Sequence, residues 1–88
     1  MKKEEYGLIT FKSTHYTLQA EELLKDNKLV FKTIPTPREV SHSCGLALLF
    51  MLEDLETIRA YIEDGLLNFD GVFRYVKENQ KSSAEKII

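Results

Sequence analysis

An α+β fold is what this chain predicts, from three observations. Short segments rich in β-formers alternate with two amphipathic helical stretches, and their order along the chain reads βαββαβ. The one ambiguous run, from Leu46 to Met51, is apolar on both parities, as a strand covered on its two faces would be.

The first strand is read in Tyr6-Gly7-Leu8-Ile9-Thr10-Phe11, where side-chain character alternates. Ser13-Thr14 then offers a capping hydroxyl. From His15 to Asp26 the residues Ala20, Leu23 and Leu24 share a face with Tyr16, against Gln19, Glu22 and Lys25, so this is a first helix ending near Asn27. Lys28 to Ile34 reads as a second strand, stopped by Pro35 and Pro37, which lack backbone donors. Leu46 to Met51 is a third strand or the front of a helix, and Leu, Ala and Met even favour the helix. The strand is the expectation adopted. The second helix has Glu53 and Asp54 in its first turn, Leu55, Ile58 and Ile62 as its stripe, and Gly65 suited to its C-terminus. Asn68 to Gly71 is turn material, and Val72 to Val76 is the last strand. The expected architecture is therefore ferredoxin-like, a four-stranded antiparallel sheet with two helices on one face. Residues 1–77 form one domain, and 78–88 a polar tail that is frayed or disordered. In this order the connection between strands two and three is expected at the opposite end of the sheet from the turn into helix one. That would keep Cys44 far from Ser13 and Thr14.

Composition narrows the function. The chain has 88 residues, 43% of them hydrophobic, and no tryptophan, so the core is aliphatic with some Phe and Tyr, and a deep cavity for a large cofactor is not expected. A formal net charge of −2, with lysines scattered among glutamates, gives no general basic field for nucleic acid. There is no apolar stretch long enough to cross a bilayer and no signal-peptide pattern after Met1. A single cysteine excludes an internal disulfide framework and fits a reducing compartment, so a cytoplasmic location is expected.

That cysteine, Cys44, lies among the densest set of reactive side chains in the sequence, Arg38-Glu39-Val40-Ser41-His42-Ser43-Cys44-Gly45. A thiol reacts as its thiolate, and at an ordinary pKa near 8.5 only about 3% is ionised at pH 7. Lowering that pKa by about two pH units takes roughly 2.7 kcal/mol. A guanidinium about 4 Å away offers on the order of 4 kcal/mol before screening, so Arg38, or His42 when protonated, is sufficient in principle. Ser41 and Ser43 can donate hydrogen bonds to an anion, and Gly45 allows close backbone approach or a positive φ. The opposite reading is a polar turn that satisfies its own backbone around a small buried apolar cysteine. His15 sits beside Lys12, Ser13 and Thr14 at a helix start whose free backbone donors could hold a phosphate or carboxylate, but an ordinary capped helix is the reading preferred, because Ser/Thr caps are so common. Metal is not supported, since Cys44, His42 and His15 give no close-spaced ligand pair. A cysteine hydrolase is not supported either, because no acid-base partner of Cys44 sits in a recognisable motif.

The segments Ile9-Thr10-Phe11, Ser13-Thr14-His15, Ile34-Pro35, Pro37-Arg38-Glu39-Val40-Ser41 and Ser43-Cys44-Gly45-Leu46-Ala47 together resemble a small bacterial domain family known as selenium/sulfur carrier protein-like. The resemblance covers roughly residues 6 to 76, and its Pro-Arg-x-x-Ser-x-x-Cys-Gly core is far more specific than a lone cysteine. One departure is Leu52, where the family typically has a proline before the second helix. The resemblance implies a ferredoxin-like domain, sometimes beside a sulfurtransferase-like carrier domain, with Cys44 bearing a sulfur or selenium atom. It further implies donor and acceptor proteins as partners, a carrier rather than an enzyme with its own small substrate, and no cofactor. A noncatalytic interaction or regulatory domain with a structural Cys44 is the alternative from a different class.

Overall fold

The computed structural model describes residues 3–38, 40 and 45–88. Along the chain lie β1 (Lys3–Thr10), α1 (Thr14–Asp26), β2 (Phe31–Pro35), β3 (Leu46–Phe50), a 3₁₀ turn (Leu52–Asp54), α2 (Leu55–Glu63), β4 (Gly71–Glu78) and β5 (Lys81–Lys86). All five strands join one antiparallel sheet in the spatial order β2-β3-β1-β4-β5.

The run beginning at Leu46 is a strand, hydrogen-bonded to β1 on one side and β2 on the other. Its apolar character at both parities follows from two covered faces. Leu48 and Phe50 enter the core beneath the helices, while Ala47 packs on the opposite side. The strand ends at Phe50, one residue short of the sequence reading. Helix α1 is capped as expected: the Tyr16 amide donates to Ser13 Oγ at 3.4 Å. Past its end the left-handed residue is Lys28, with φ 60°. Helix α2 begins at Leu55, with Glu53 and Asp54 in the 3₁₀ turn before it, and Gly65 follows its end at φ +73°.

Both helices use one side of the sheet. Ala20 and Leu24 from α1 and Ile58 from α2 pack in a single buried cluster with Ile9, Phe11, Leu48, Phe50 and Val72. The closest approach in this layer is at Gly7, opposite Phe50 in the β1–β3 register, where a side-chain carbon would fall inside the Phe50 ring. Only a residue without Cβ lets the ring lie flat on the sheet there.

The four-strand expectation is corrected to five strands. Residues read as a polar tail form β5, which pairs with β4 through a hairpin whose two turn residues, Asn79 and Gln80, have φ 51° and 69°. Two successive left-handed residues make the primed turn that matches strand twist. The two-residue turn fixes the register of this hairpin, and opposite charges then face one another: Glu78 faces Lys81, Arg74 faces Glu85, Lys3 faces Glu78 and Glu4 faces Lys77. Arg74 also pairs with Glu5. The last two residues are docked too. Val72 accepts hydrogen bonds from the amides of Ile87 and Ile88, and Ile88 packs against the helix-side core.

The expected placement of the β2–β3 connection at the opposite end of the sheet from the turn into α1 is also corrected, for the two ends of that connection; Cys44 itself lies outside the described residues. Thr10, the last residue of β1, is paired with Ala47 near the start of β3 and with Gly71 at the start of β4. Because β2 runs parallel to β1 in this order, both strands exit at the same end. The turn into α1, both ends of the β2–β3 connection, the entry to β4 and the C-terminal residues therefore gather at one end of the sheet.

Candidate functional site

The β2–β3 connection is built on a firm base. Pro35 pairs with Leu46, and beyond that pair the Thr36 amide donates to the Gly45 carbonyl at 2.9 Å, which carries the ladder one step past the strands. Gly45 has φ +84°, is exposed, and has open space where a Cβ would be. Its freedom of conformation is thus used to turn the chain into β3. After Thr36 the chain bends through Pro37 and Arg38, and the Val40 amide donates to the Pro37 carbonyl at 3.3 Å. Arg38 is exposed.

Val40 anchors the connection. It is 4% exposed and packs with Leu8 and Ala47 on the side of the sheet that has no helix. Sequence reasoning missed this role, although the signal was present: Val40 is the only aliphatic residue between Ile34 and Leu46. Of the candidate residues, Arg38 and Gly45 are in the described structure. Ser41, His42, Ser43 and Cys44 lie outside the described residues.

At the same end, α1 starts with Ser13 as cap, and Thr17, wholly buried, donates through Oγ1 to the Ser13 carbonyl at 3.3 Å. No acidic side chain occupies the first turn of α1, so the positive end of its dipole is not neutralised within the helix. His15 is exposed, with Nε2 3.3 Å from Gln19 Nε2 and its ring tilted beside Tyr16. The Asp70 amide donates to the Thr10 carbonyl at 2.7 Å, tying the entry of β4 to the exit of β1. Thr36 Oγ1 is buried without a hydrogen-bond partner among the described residues.

The helix-free side has a cluster of its own, in which Ile34, Leu49, Phe73, Tyr75 and Ala84 surround Leu8, Val40 and Ala47. Below the Val40 anchor it forms a shallow concavity of about 360 Å³, lined by Tyr6, Lys32, Ile34, Leu49, Tyr75 and Lys77 among others. Tyr6 donates its hydroxyl proton to Glu4 Oε1 at 2.7 Å. That hydrogen bond, and then the negative charge of Glu4, hold the Tyr6 phenol above the usual value of 10.0. Among the described residues no group of three or more His, Cys, Asp or Glu side chains is placed to hold a metal ion. No helix among them is long and apolar enough to cross a membrane.

A family model described as "Putative Se/S carrier protein-like" matches residues 6–74, which runs from within β1 to the middle of β4 and takes in the whole β2–β3 connection, and the chain belongs to that family. Comparison with curated proteins and with solved structures gives no match.

Proposed function

We propose that this protein carries zero-valent sulfur or selenium, held on Cys44 as a persulfide or selenyl-sulfide. The observation that carries the reading is membership of the Se/S carrier-like family over a segment that contains the entire Arg38 to Gly45 motif. The base of the connection supports it. A hydrogen-bonded stem at Thr36 and Gly45 and a buried anchor at Val40 give a rigid platform for a short reactive segment. The strand order β2-β3-β1-β4 with both helices on one side is read as a ferredoxin-like core, to which β5 adds an edge.

Loading and unloading are two thiol exchanges. The Cys44 thiolate attacks the terminal sulfur of a donor persulfide, or the terminal selenium of a donor selenyl-sulfide. A bond forms from Cys44 Sγ to that atom while the donor's own bond to it breaks. The electron pair leaves on the donor sulfur, which takes a proton. Unloading repeats the step with an acceptor thiolate as nucleophile and Cys44 as leaving group. No net oxidation occurs, and no cofactor is needed. In this reading Arg38 and a protonated His42 stabilise the thiolate, and Ser41, Ser43 and the Gly45 backbone shape its surroundings. The partners are a donor and an acceptor protein in the reducing cytoplasm, and the protein is a carrier without a small-molecule substrate of its own.

The test pairs intact mass with thermal melting for the wild type and Cys44→Ser. After incubation with a small-molecule persulfide donor, the wild type gains one sulfur atom, removable by excess thiol, and Cys44→Ser gains nothing while melting normally. A structural cysteine behaves oppositely. Burying an unpaired hydroxyl costs about 1–3 kcal/mol, and each kcal/mol lowers the melting temperature by about 4–8 °C at this size. A clear drop in the melting temperature of Cys44→Ser, with no adduct on the wild type, replaces the carrier reading by that of an interaction domain.

A further inference from the structure

The side of the sheet without helices combines an apolar floor with a one-sided charge. Strand alternation and the observed register put Glu4 and Tyr6 of β1, Lys32 and Ile34 of β2, Leu49 of β3, Tyr75 and Lys77 of β4 and Lys86 of β5 on this side. Three lysines stand there against one glutamate, in a chain whose net charge is −2. At the centre Tyr6 and Tyr75 are direct cross-strand partners, both half-buried, beside Leu49 in the concavity of about 360 Å³. We propose that this face docks an acidic amphipathic helix of a partner protein, with the apolar stripe on the tyrosines and its acidic flanks on the lysines.

Geometry selects a helix. Lys32 and Lys77 sit on strands three spacings apart, or about 14 Å. A helix with its side chains is about 10–12 Å across, so one helix laid along the strands fits between the two lysines. Charge favours acidic flanks, because this face carries three lysines against the single glutamate Glu4, which faces Lys77. A centre of tyrosines with aliphatic neighbours is the composition of a protein interface core. Single-stranded nucleic acid is less well matched, since three lysines spread over β2, β4 and β5 do not line one continuous groove for a phosphate backbone.

Position ties the surface to the loop. Val40 anchors the β2–β3 connection on this same face, next to Ala47 and Leu8, so a helix seated on the tyrosines lies alongside that connection. The inference deepens the carrier reading, and rests on it for the role of the partner: the docked helix belongs to a donor or an acceptor. The exposed part of the face is about three to four strands wide.

The experiment is an NMR amide titration of the full chain with a synthetic peptide helix bearing a leucine stripe flanked by glutamates. Its comparators are a twin flanked by lysines and a single-stranded oligonucleotide. The glutamate peptide should shift the amides of Tyr6, Leu49 and Tyr75, bind more weakly as salt is raised, and bind on the order of tenfold more weakly to the Lys32→Glu/Lys77→Glu variant. That variant should in turn prefer the lysine twin. Equal binding of the two peptides, shifts confined to α1 and α2, no shifts at all, or tighter binding of the oligonucleotide would overturn the proposal. Loading of Cys44 by a small-molecule donor needs no docked helix, so the two readings fail separately. The charge-reversed variant should gain sulfur mass as the wild type does.

Discussion

Replacing Gly7 by alanine tests the packing of the helix-side layer at its tightest point. The backbone at Gly7 is not left-handed, since the positive-φ glycines are Gly45 and Gly65, so alanine fits the strand conformation. By restricting the unfolded chain it would alone add about 0.4–1 kcal/mol. The added carbon, however, falls within the ring of Phe50. Phe50 is 2% exposed and enclosed by the core, so the ring can move only by displacing its neighbours. Overpacking of this kind costs typically 1–3 kcal/mol, and so complete an overlap belongs at the upper end. The net loss is about 2 kcal/mol, or roughly 8–16 °C in melting temperature. A double-mutant cycle identifies the cause. In a Phe50→Leu background the ring is gone, and Gly7→Ala should cost almost nothing there, giving a coupling of about 1–3 kcal/mol. Thermal melts of the four proteins decide it. If Gly7→Ala costs the same with and without Phe50, the ring is not the reason for the glycine, and the argument is wrong.

Three further perturbations address other parts of the molecule. Gln80→Gly should raise the melting temperature by several degrees, because Gln80 holds φ 69° in the hairpin turn and glycine removes a cost of about 1 kcal/mol there. A lower melting temperature would show that the Gln80 side chain itself contributes to the turn. If Arg38 stabilises the Cys44 thiolate, Arg38→Ala should move the midpoint of a pH-resolved alkylation series upward, and His42→Ala should move it less, because an unperturbed imidazole is mostly neutral at pH 7.5. Identical midpoints in all three proteins would remove both roles. In a spectrophotometric titration Tyr6 should ionise later than an ordinary tyrosine, and Glu4→Gln should bring it back toward 10.0. Since the folded value is the raised one, this contact supports the fold fully below the unfolded pKa and is lost as the pH climbs through the folded value.

What the sequence reveals depends on which forces hold each element. β3 is legible because two covered faces demand apolar residues at both parities, and the helices are legible because one buried stripe recurs at helical spacing. β5 is not. Lys81-Ser82-Ser83-Ala84-Glu85-Lys86 has no apolar period, and its turn lacks the glycine that usually announces a hairpin. Its place is set by the turn at Asn79-Gln80 and the ladder with β4, and the opposite charges that face one another appear only once the strands are aligned. The end of the sheet that holds the β2–β3 connection is misjudged from the sequence for a different reason. A helix that carries the chain back along the sheet makes β2 parallel to β1, so both leave at one end, as the pairing of Thr10 with Ala47 shows. The loop itself is evident from its composition, and a lone valine among polar residues marks an anchor, but the sequence does not say which face of the sheet receives it.

The placement of the two chain ends has a practical side. Lys3 begins the first strand at the end of the sheet remote from the β2–β3 connection, whereas Ile88 is bonded to Val72 at the connection's own end. An affinity handle or fluorescent fusion appended after Ile88 would emerge at the connection's end of the sheet, although at the opposite edge, and would pull at two residues whose amides are bonded to Val72. The same appendage placed ahead of Lys3 would be separated from the connection by the length of an eight-residue strand, about 26 Å. Labelling, immobilisation and purification schemes for this protein therefore belong at its amino end.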